Sequence, residues 1–377
     1  VAVADRAAAE AAEAERSPTA RLPALPALAR ARRRQIVAFA ALTAAFVALA
    51  LTAIAVGSVS IPFGDVVRIL LGGEADRASW TTIVEQVRIP RTLTAALAGA
   101  ALGMAGLQMQ TLFRNPLADP FILGISAGAS FGVAVVVLVA GSSNALFASG
   151  LGWLGDLGLA AAAMVGAGAA LALILLFSTR VTSMVTLLIV GLMVGQIVTS
   201  FVTIMLSLAE ESRVQQFVRW GFGSFRGVTW DELRLLAPVV LAGLAISVMT
   251  IKPLNALLLG EGYARSMGLN VRRTRLLILV SSSALAGIVT AFAGPIAFLG
   301  LAIPHLARAI FGTSDHRVLV PGVVLMGACA ALVAEVAAQL PGSNAVLPLN
   351  AITALIGAPV VIIVLLRSRR GTEAFAR

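Results

Sequence analysis

Apolar residues run through the chain in stretches of about 20, separated by short polar segments, and that alternation predicts helices that each cross a bilayer. A hydrocarbon core of roughly 30 Å takes about 20 helical residues, with every backbone hydrogen bond closed inside the segment. Ten such stretches fall near 36–57, 91–112, 121–140, 158–177, 182–207, 230–250, 276–293, 298–311, 318–339 and 349–366. The eighth is short, follows Gly294-Pro295 and carries Pro304 and His305. A broken helix is expected there, with irregular backbone that only protein or a cavity can shield. The pattern thus predicts an all-α integral membrane protein of about ten transmembrane helices.

One polar island, Lys252 to Arg275, separates two long apolar stretches. It holds Lys252, Arg265, Arg272, Arg273 and Arg275 against a single acid, Glu261. Such a segment must sit in water. Lys252-Pro253 ends the preceding helix, because proline cannot donate the backbone bond and clashes with the turn before it. A short helix can restart at Glu261, with the acid at the positive end of its dipole, and Gly268 can close it in the left-handed conformation. Tyr263 and Met267 are four residues apart and would share one face of that stub. Two readings stand: a surface that docks into a groove on another protein, or a basic loop that only fixes membrane orientation.

Within the apolar stretches, small residues recur at helical spacing: Gly99, Gly103 and Gly106 in the second, Gly124, Gly128 and Gly132 in the third. That spacing lets helix backbones touch, which is how helices associate when lipid removes the hydrophobic drive. The fifth stretch differs. Gln196, Thr199, Ser200, Thr203 and Ser207 form a polar stripe along one face. Such hydroxyls often bond back to their own backbone or to a neighbouring helix; a continuous stripe of five is better explained by a wet cavity. Between the first and second stretches, residues 58–90 predict a short surface helix and an extended return ending in Arg88-Ile89-Pro90-Arg91. Those two arginines can snorkel at the boundary or receive carboxylates from a soluble partner. Glu210 to Thr229, with Arg213, Arg219 and Trp220 among its residues and Trp230 next to it, predicts an interfacial element.

Composition agrees with the pattern: of 377 residues 59% are hydrophobic and 12% charged, and the mean hydropathy is +0.96. A net charge of +10 could indicate a nucleic-acid binder. With the N-terminus inside and ten crossings, however, the inner segments carry twice as many Lys and Arg as the outer ones, the positive-inside distribution. The island and both termini then lie in the cytoplasm, with residues 1–35 as a mobile tail and 371–377 as a short C-terminal one. No nucleic-acid partner is expected.

Candidate chemistry is sparse. Cys329, the one cysteine, cannot form an intrachain disulfide. His305 and His316 lack carboxylate or thiolate neighbours at metal-site spacing and are read as structural, with no metal. Glu335 is the one acid well inside an apolar stretch, a functional candidate by default, though close enough to its outer end to reach the interface. A phosphate-binding Walker loop needs lysine followed by Ser or Thr, and the only lysine, Lys252, precedes proline. An ion-coupled carrier usually needs several buried carboxylates, and only Glu335 approaches that. Energy for any transport must therefore come from another subunit, with the island as the handle; a passive channel or scaffold is the other class left open.

Four stretches also carry a resemblance: RIPRTLTAALAGAALGMAGLQMQTLFRNPLADPFILGISAGAS from Arg88, LGEGYARSMGLNVRRTR from Leu259, GPIAFLGLAIPHLAR from Gly294 with Asp315-His316-Arg317 after it, and TALIGAP from Thr353. Together they resemble the FecCD family, the permease subunits of ABC importers for iron-siderophores, haem and cobalamin. The likeness covers about 36–370, the transmembrane permease domain. It implies the type II ABC importer permease fold and a pair of permease subunits, alike or related, in a bacterial cytoplasmic membrane. It also implies two cytoplasmic ATPases and an outer substrate-binding protein. ATP and Mg would be held by the ATPases, and no cofactor by this chain. Leu259, Gly260, Glu261, Tyr263, Ala264, Arg265, Met267 and Gly268 match the family's coupling segment, Arg88 and Arg91 its docking arginines, and the fifth stretch its pore-lining helix. Three departures stand out: Gly262 where a second acid is common, Gln339 where some members have a third docking arginine, and Leu347-Pro348-Leu349-Asn350 near the tenth stretch. The cargo expected on family frequency is a ferric siderophore, with haem or cobalamin as the alternative.

Overall fold

The computed structural model describes residues 25–139, 152–181, 183–339 and 347–374. In chain order the helices are α1 (Leu25–Ala55), α2 (Phe63–Leu70), α3 (Ala78–Ile83), α4 (Ile89–Leu112), α5 (Ile125–Ala134), α6 (Gly152–Arg180), α7 (Met184–Ser207) and α8 (Glu211–Gly221). They continue as α9 (Trp230–Met249), α10 (Ile251–Leu258), α11 (Glu261–Ser266), α12 (Val271–Ala293), α13 (Leu299–Phe311), α14 (His316–Ala338) and α15 (Leu349–Ala374). Seven helices are long and apolar enough to cross a membrane, and three shorter apolar ones, around α5, α13 and α15, fall at the remaining expected positions. Each of the ten predicted stretches therefore contains one of these helices.

Polar side chains set several helix starts. Thr229 and Glu232 form a reciprocal capping box on α9, Asn270 accepts from the Arg273 N–H at 3.0 Å to open α12, and Asp315 accepts from the Arg317 N–H at 2.9 Å to open α14. Each satisfies an N–H that the first turn leaves without a helical partner.

α4 runs through the middle, against α9, α12, α13 and α14, and every residue from Ala98 to Phe113 is buried. The small-residue spacing explains this closeness. A methyl at Gly99 would overlap the Gly327 carbonyl of α14, and one at Gly106 the Gly300 carbonyl of α13. α5 packs against α6 by the same device, Gly128 facing Gly166 and Gly132 facing Ala162. Gly124 departs from the pattern: with φ +78 it stands before α5 rather than inside it.

Three expectations change. The chain between α2 and α4 does not return extended; α3 passes through a π-helical turn, Val84–Arg88, straight into α4. The wider turn precedes Pro90, whose missing N–H would otherwise interrupt the ladder. The tail expected over 1–35 is helical from Leu25, where Ala, Leu and Arg favour continuing α1 outward; residues 1–24 and 375–377 lie outside the described residues. The eighth stretch is a continuous 13-residue helix with Pro304 inside it, and the irregular backbone precedes it at 294–298. There the Ala297 N–H donates to Asn350 Oδ1 at 3.1 Å and the Ala293 carbonyl accepts from the Ser224 N–H at 2.8 Å, so protein groups shield the break.

Candidate functional site

The helix break at the polar island comes at Thr250, and Pro253 sits in the first turn of α10, where its missing N–H costs little. α11 spans only Glu261–Ser266. Its end is a Schellman closure: the Gly268 N–H donates to the Arg265 carbonyl and the Leu269 N–H to the Ala264 carbonyl, with Gly268 at φ +83. Ala264 of the stub is fully buried, whereas Tyr263 on it and Leu259 and Met267 flanking it are exposed large side chains. Gly260, at φ +106, turns the chain into the stub, and a Cβ at Gly262 would meet nothing within 4 Å.

Glu261 holds the stub in place. Its Oε1 accepts from Arg275 Nη2 at 3.1 Å and its Oε2 from Arg265 Nη2 at 3.5 Å. Arg275 is buried at the foot of α12 and also donates to the Val181 carbonyl at 3.4 Å. The role of Arg275 was not visible in the sequence, since it lies outside the helical spacing of Glu261; the only hint was that one acid had five cations to choose from. Beside the stub lies a groove of about 250 Å³ lined by Phe113, Arg114, Met184, Leu257 and Glu261.

The stripe on α7 is where the sequence put it. Gln196, Thr199, Ser200, Thr203 and Ser207 are all exposed in the protomer. Their hydroxyls bond back to their own helix: Thr199 to the Gly195 carbonyl at 2.8 Å, Ser200 to Gln196 at 2.9 Å, Thr203 to Thr199 at 2.9 Å and Ser207 to Ile204 at 2.8 Å. The hydroxyls are thus back-bonded, and each keeps lone pairs on an exposed face of the protomer. Val185, Ile189 and Met193 continue the same face toward the start of α7 and are exposed too, so the face is polar in one half and apolar in the other.

Arg88 and Arg91 are turned inward, not outward. They are 2% and 4% exposed. Arg88 donates to the carbonyls of Ile54, Ala55 and Val59, and Arg91 Nη2 to those of Ala53 at 3.1 Å and Val56 at 3.3 Å. These are the orphan carbonyls at the end of α1 and the turn after it, so the two guanidinium groups cap α1 from the π turn and the first turn of α4. Arg91 Nε also stands 3.0 Å from Glu335 Oε1, and Gln339 Nε2 donates to the same oxygen at 2.7 Å. Glu335, 3% exposed, is thus the counter-charge of Arg91, and Gln339 supports it.

Both histidines fix the ends of buried helices. His305 Nε2 meets the Pro116 carbonyl at 2.8 Å; His316 bridges Thr111 Oγ1 at 2.9 Å and Asn255 Oδ1 at 2.7 Å. Asn255 also donates to Asp315 at 2.6 Å. The Arg317 backbone N–H, with that amide, holds the Asp315 carboxyl below the usual carboxylate range.

With this geometry in view, the profile of the FecCD transport family matches residues 42–367, most of the chain. The chain belongs to the FecCD transport family. It is 39% identical over 287 residues to the vitamin B12 import system permease protein BtuC of Citrobacter koseri, covering 76% of this chain and 84% of that protein. The BtuC of Salmonella typhimurium is 38% identical over the same shares. A solved structure described as an inward-facing conformation of a metal-chelate type ABC transporter superimposes with a TM-score of 0.75 at 28% identity, covering 88% of this chain and 99% of that one. This FecCD member is accordingly a multi-pass ABC importer permease with the type II fold.

Proposed function

We propose that this chain is the permease subunit of a corrinoid importer, passing cobalamin inward at the expense of ATP hydrolysed on separate subunits. The supporting observation is the 39% identity to a vitamin B12 permease across 84% of its length. The ferric siderophore expected on family frequency becomes the second reading, favoured by the likeness to a metal-chelate type transporter.

Two such permeases, identical or related, enclose the path with the α7 stripes facing it. An outer binding protein delivers cargo on the side where α1 ends; Arg88 and Arg91 act there as positioning residues that hold that end of α1 rather than as contacts. On the opposite, cytoplasmic side, two ATPases seat on the stubs, with Tyr263 and Met267 as the exposed anchors and Glu261, Arg265 and Gly268 keeping their geometry. Approach of the ATPases draws the stubs together and tips the permeases from outward to inward access.

The deciding experiment reconstitutes the complex with its ATPase and binding protein and measures ATP hydrolysis against cyanocobalamin, a ferric siderophore and haem. Stimulation by cyanocobalamin alone is expected; stimulation by the siderophore alone would move the cargo to the second reading. Tyr263→Ala/Met267→Ala should lose uptake at least tenfold while inserting normally. A passive pore would keep its flux.

A further inference from the structure

The ends of α6 and α12 enclose a cavity of about 400 Å³ that none of the roles above uses. Its polar wall is Ser178 and Thr179 from the last turn of α6, with Asn270, Arg272 and Arg273 from the start of α12. No acid lines it. Arg272 and Arg273 make no side-chain hydrogen bond or ion pair among the described residues, unlike Arg275, which Glu261 holds. The Asn270 amide oxygen is taken by the Arg273 N–H, which leaves the NH2 group as a donor, and the half-buried Ser178 hydroxyl is another. Two unpaired guanidinium groups with neutral donors beside them are the set that binds a phosphate oxyanion.

The other wall is apolar. Leu175 and Leu276 line the cavity about a turn further into each helix, and Leu176 and Leu277 next to them are exposed on the same two helices. Both α6 and α12 are long and apolar enough to span a membrane. A ligand here would have its anionic part at the helix ends and its remaining bulk against leucines at the edge of the hydrocarbon.

We propose that this cavity binds the phosphate headgroup of an anionic phospholipid drawn from the leaflet on which it opens. Basic pockets between spanning helices on the cytoplasmic side suit such headgroups. A soluble partner would have to push chain into the leucine wall, whereas the exposed face of α11 already offers it Tyr263 and Met267. The site depends on the proposed transport function only for which leaflet it faces.

The test uses the full chain in detergent, stripped of lipid, then offered phosphatidylglycerol, phosphatidylcholine or inorganic phosphate, with bound lipid counted by native mass spectrometry. The natural protein should retain phosphatidylglycerol at least fivefold better than Arg272→Gln/Arg273→Gln, and phosphatidylcholine should bind all variants equally weakly. Lys252→Gln, which removes a charge elsewhere on the island, should retain like the natural protein, and Arg272→Lys/Arg273→Lys should recover most of the retention, separating loss of the site from misfolding. Equal retention by the natural and glutamine proteins overturns the proposal, as does equal retention of phosphatidylcholine. Displacement by inorganic phosphate would make this a free-phosphate site and overturn the lipid. Loss of the ATPase partner from the glutamine variant with lipid retention unchanged would make it a protein contact and overturn it equally.

Discussion

α4 and α7 are both 24 residues long and strongly apolar, yet one is the most enclosed helix of the bundle and the other is largely bare. The difference lies in side-chain size. α4 is Ala and Gly through its middle, so α13 and α14 approach until backbone meets backbone. α7 carries Leu, Ile, Met and Phe around most of its circumference, and only the side containing Leu187, Gly191 and Val202 is buried. In lipid, where apolar surface alone does not drive association, small residues decide which helices a chain keeps for itself. Large ones and a hydroxyl stripe mark the helix left for something outside the chain.

That contrast can be broken most forcefully where Arg91 of α4 meets Glu335 of α14. Glu335→Ala leaves the Arg91 guanidinium buried without its counter-charge, which should cost about 3–5 kcal/mol. Thermal unfolding in detergent would read this as a large fall in Tm, and Arg91→Met/Glu335→Met should recover most of it. A loss below about 1 kcal/mol would mean that the pair behaves as an exposed one. Gly327→Leu comes next, because its side chain overlaps the Gly99 carbonyl and forces α4 and α14 apart, at about 1–3 kcal/mol. Gly168→Leu is the control: nothing stands within 4 Å of a Cβ there, and the same melt should move little. The smallest stability effect belongs to α7. Thr199→Val/Thr203→Val removes hydroxyls bonded only to their own helix and should stay within about 0.5 kcal/mol, while uptake by the reconstituted complex falls severalfold. Unchanged uptake would take the stripe out of the path.

Much of the architecture was legible because lipid imposes few solutions. The ten apolar stretches, the glycine contacts of α4 and α5, the stub at Glu261 and its Gly268 closure all follow from local pattern. What escaped was long-range. Arg88 and Arg91 read as outward cations because nothing near them in sequence announces that the carbonyls of Ala53 to Val56 lie against them. Glu335 stayed ambiguous for the same reason, its partner being on a distant helix. The mixed charges and glycines over 58–90 suggested an extended return, whereas a π turn carries helix straight on to Pro90. The stripe on α7 was seen in full, but only the structure showed that its hydroxyls are both back-bonded and bare.

The Arg275–Glu261 bond gives the stub a fixed anchorage. Arg275 belongs to α12, whose opposite flank is wedged against α4, α6 and α9. With the Schellman turn on one side and Gly260 on the other, six residues of helix have little slack in which to dissipate a displacement. Under the proposed function, a shove on Tyr263 would travel along a bolt into the keel of the bundle instead of bending a loop.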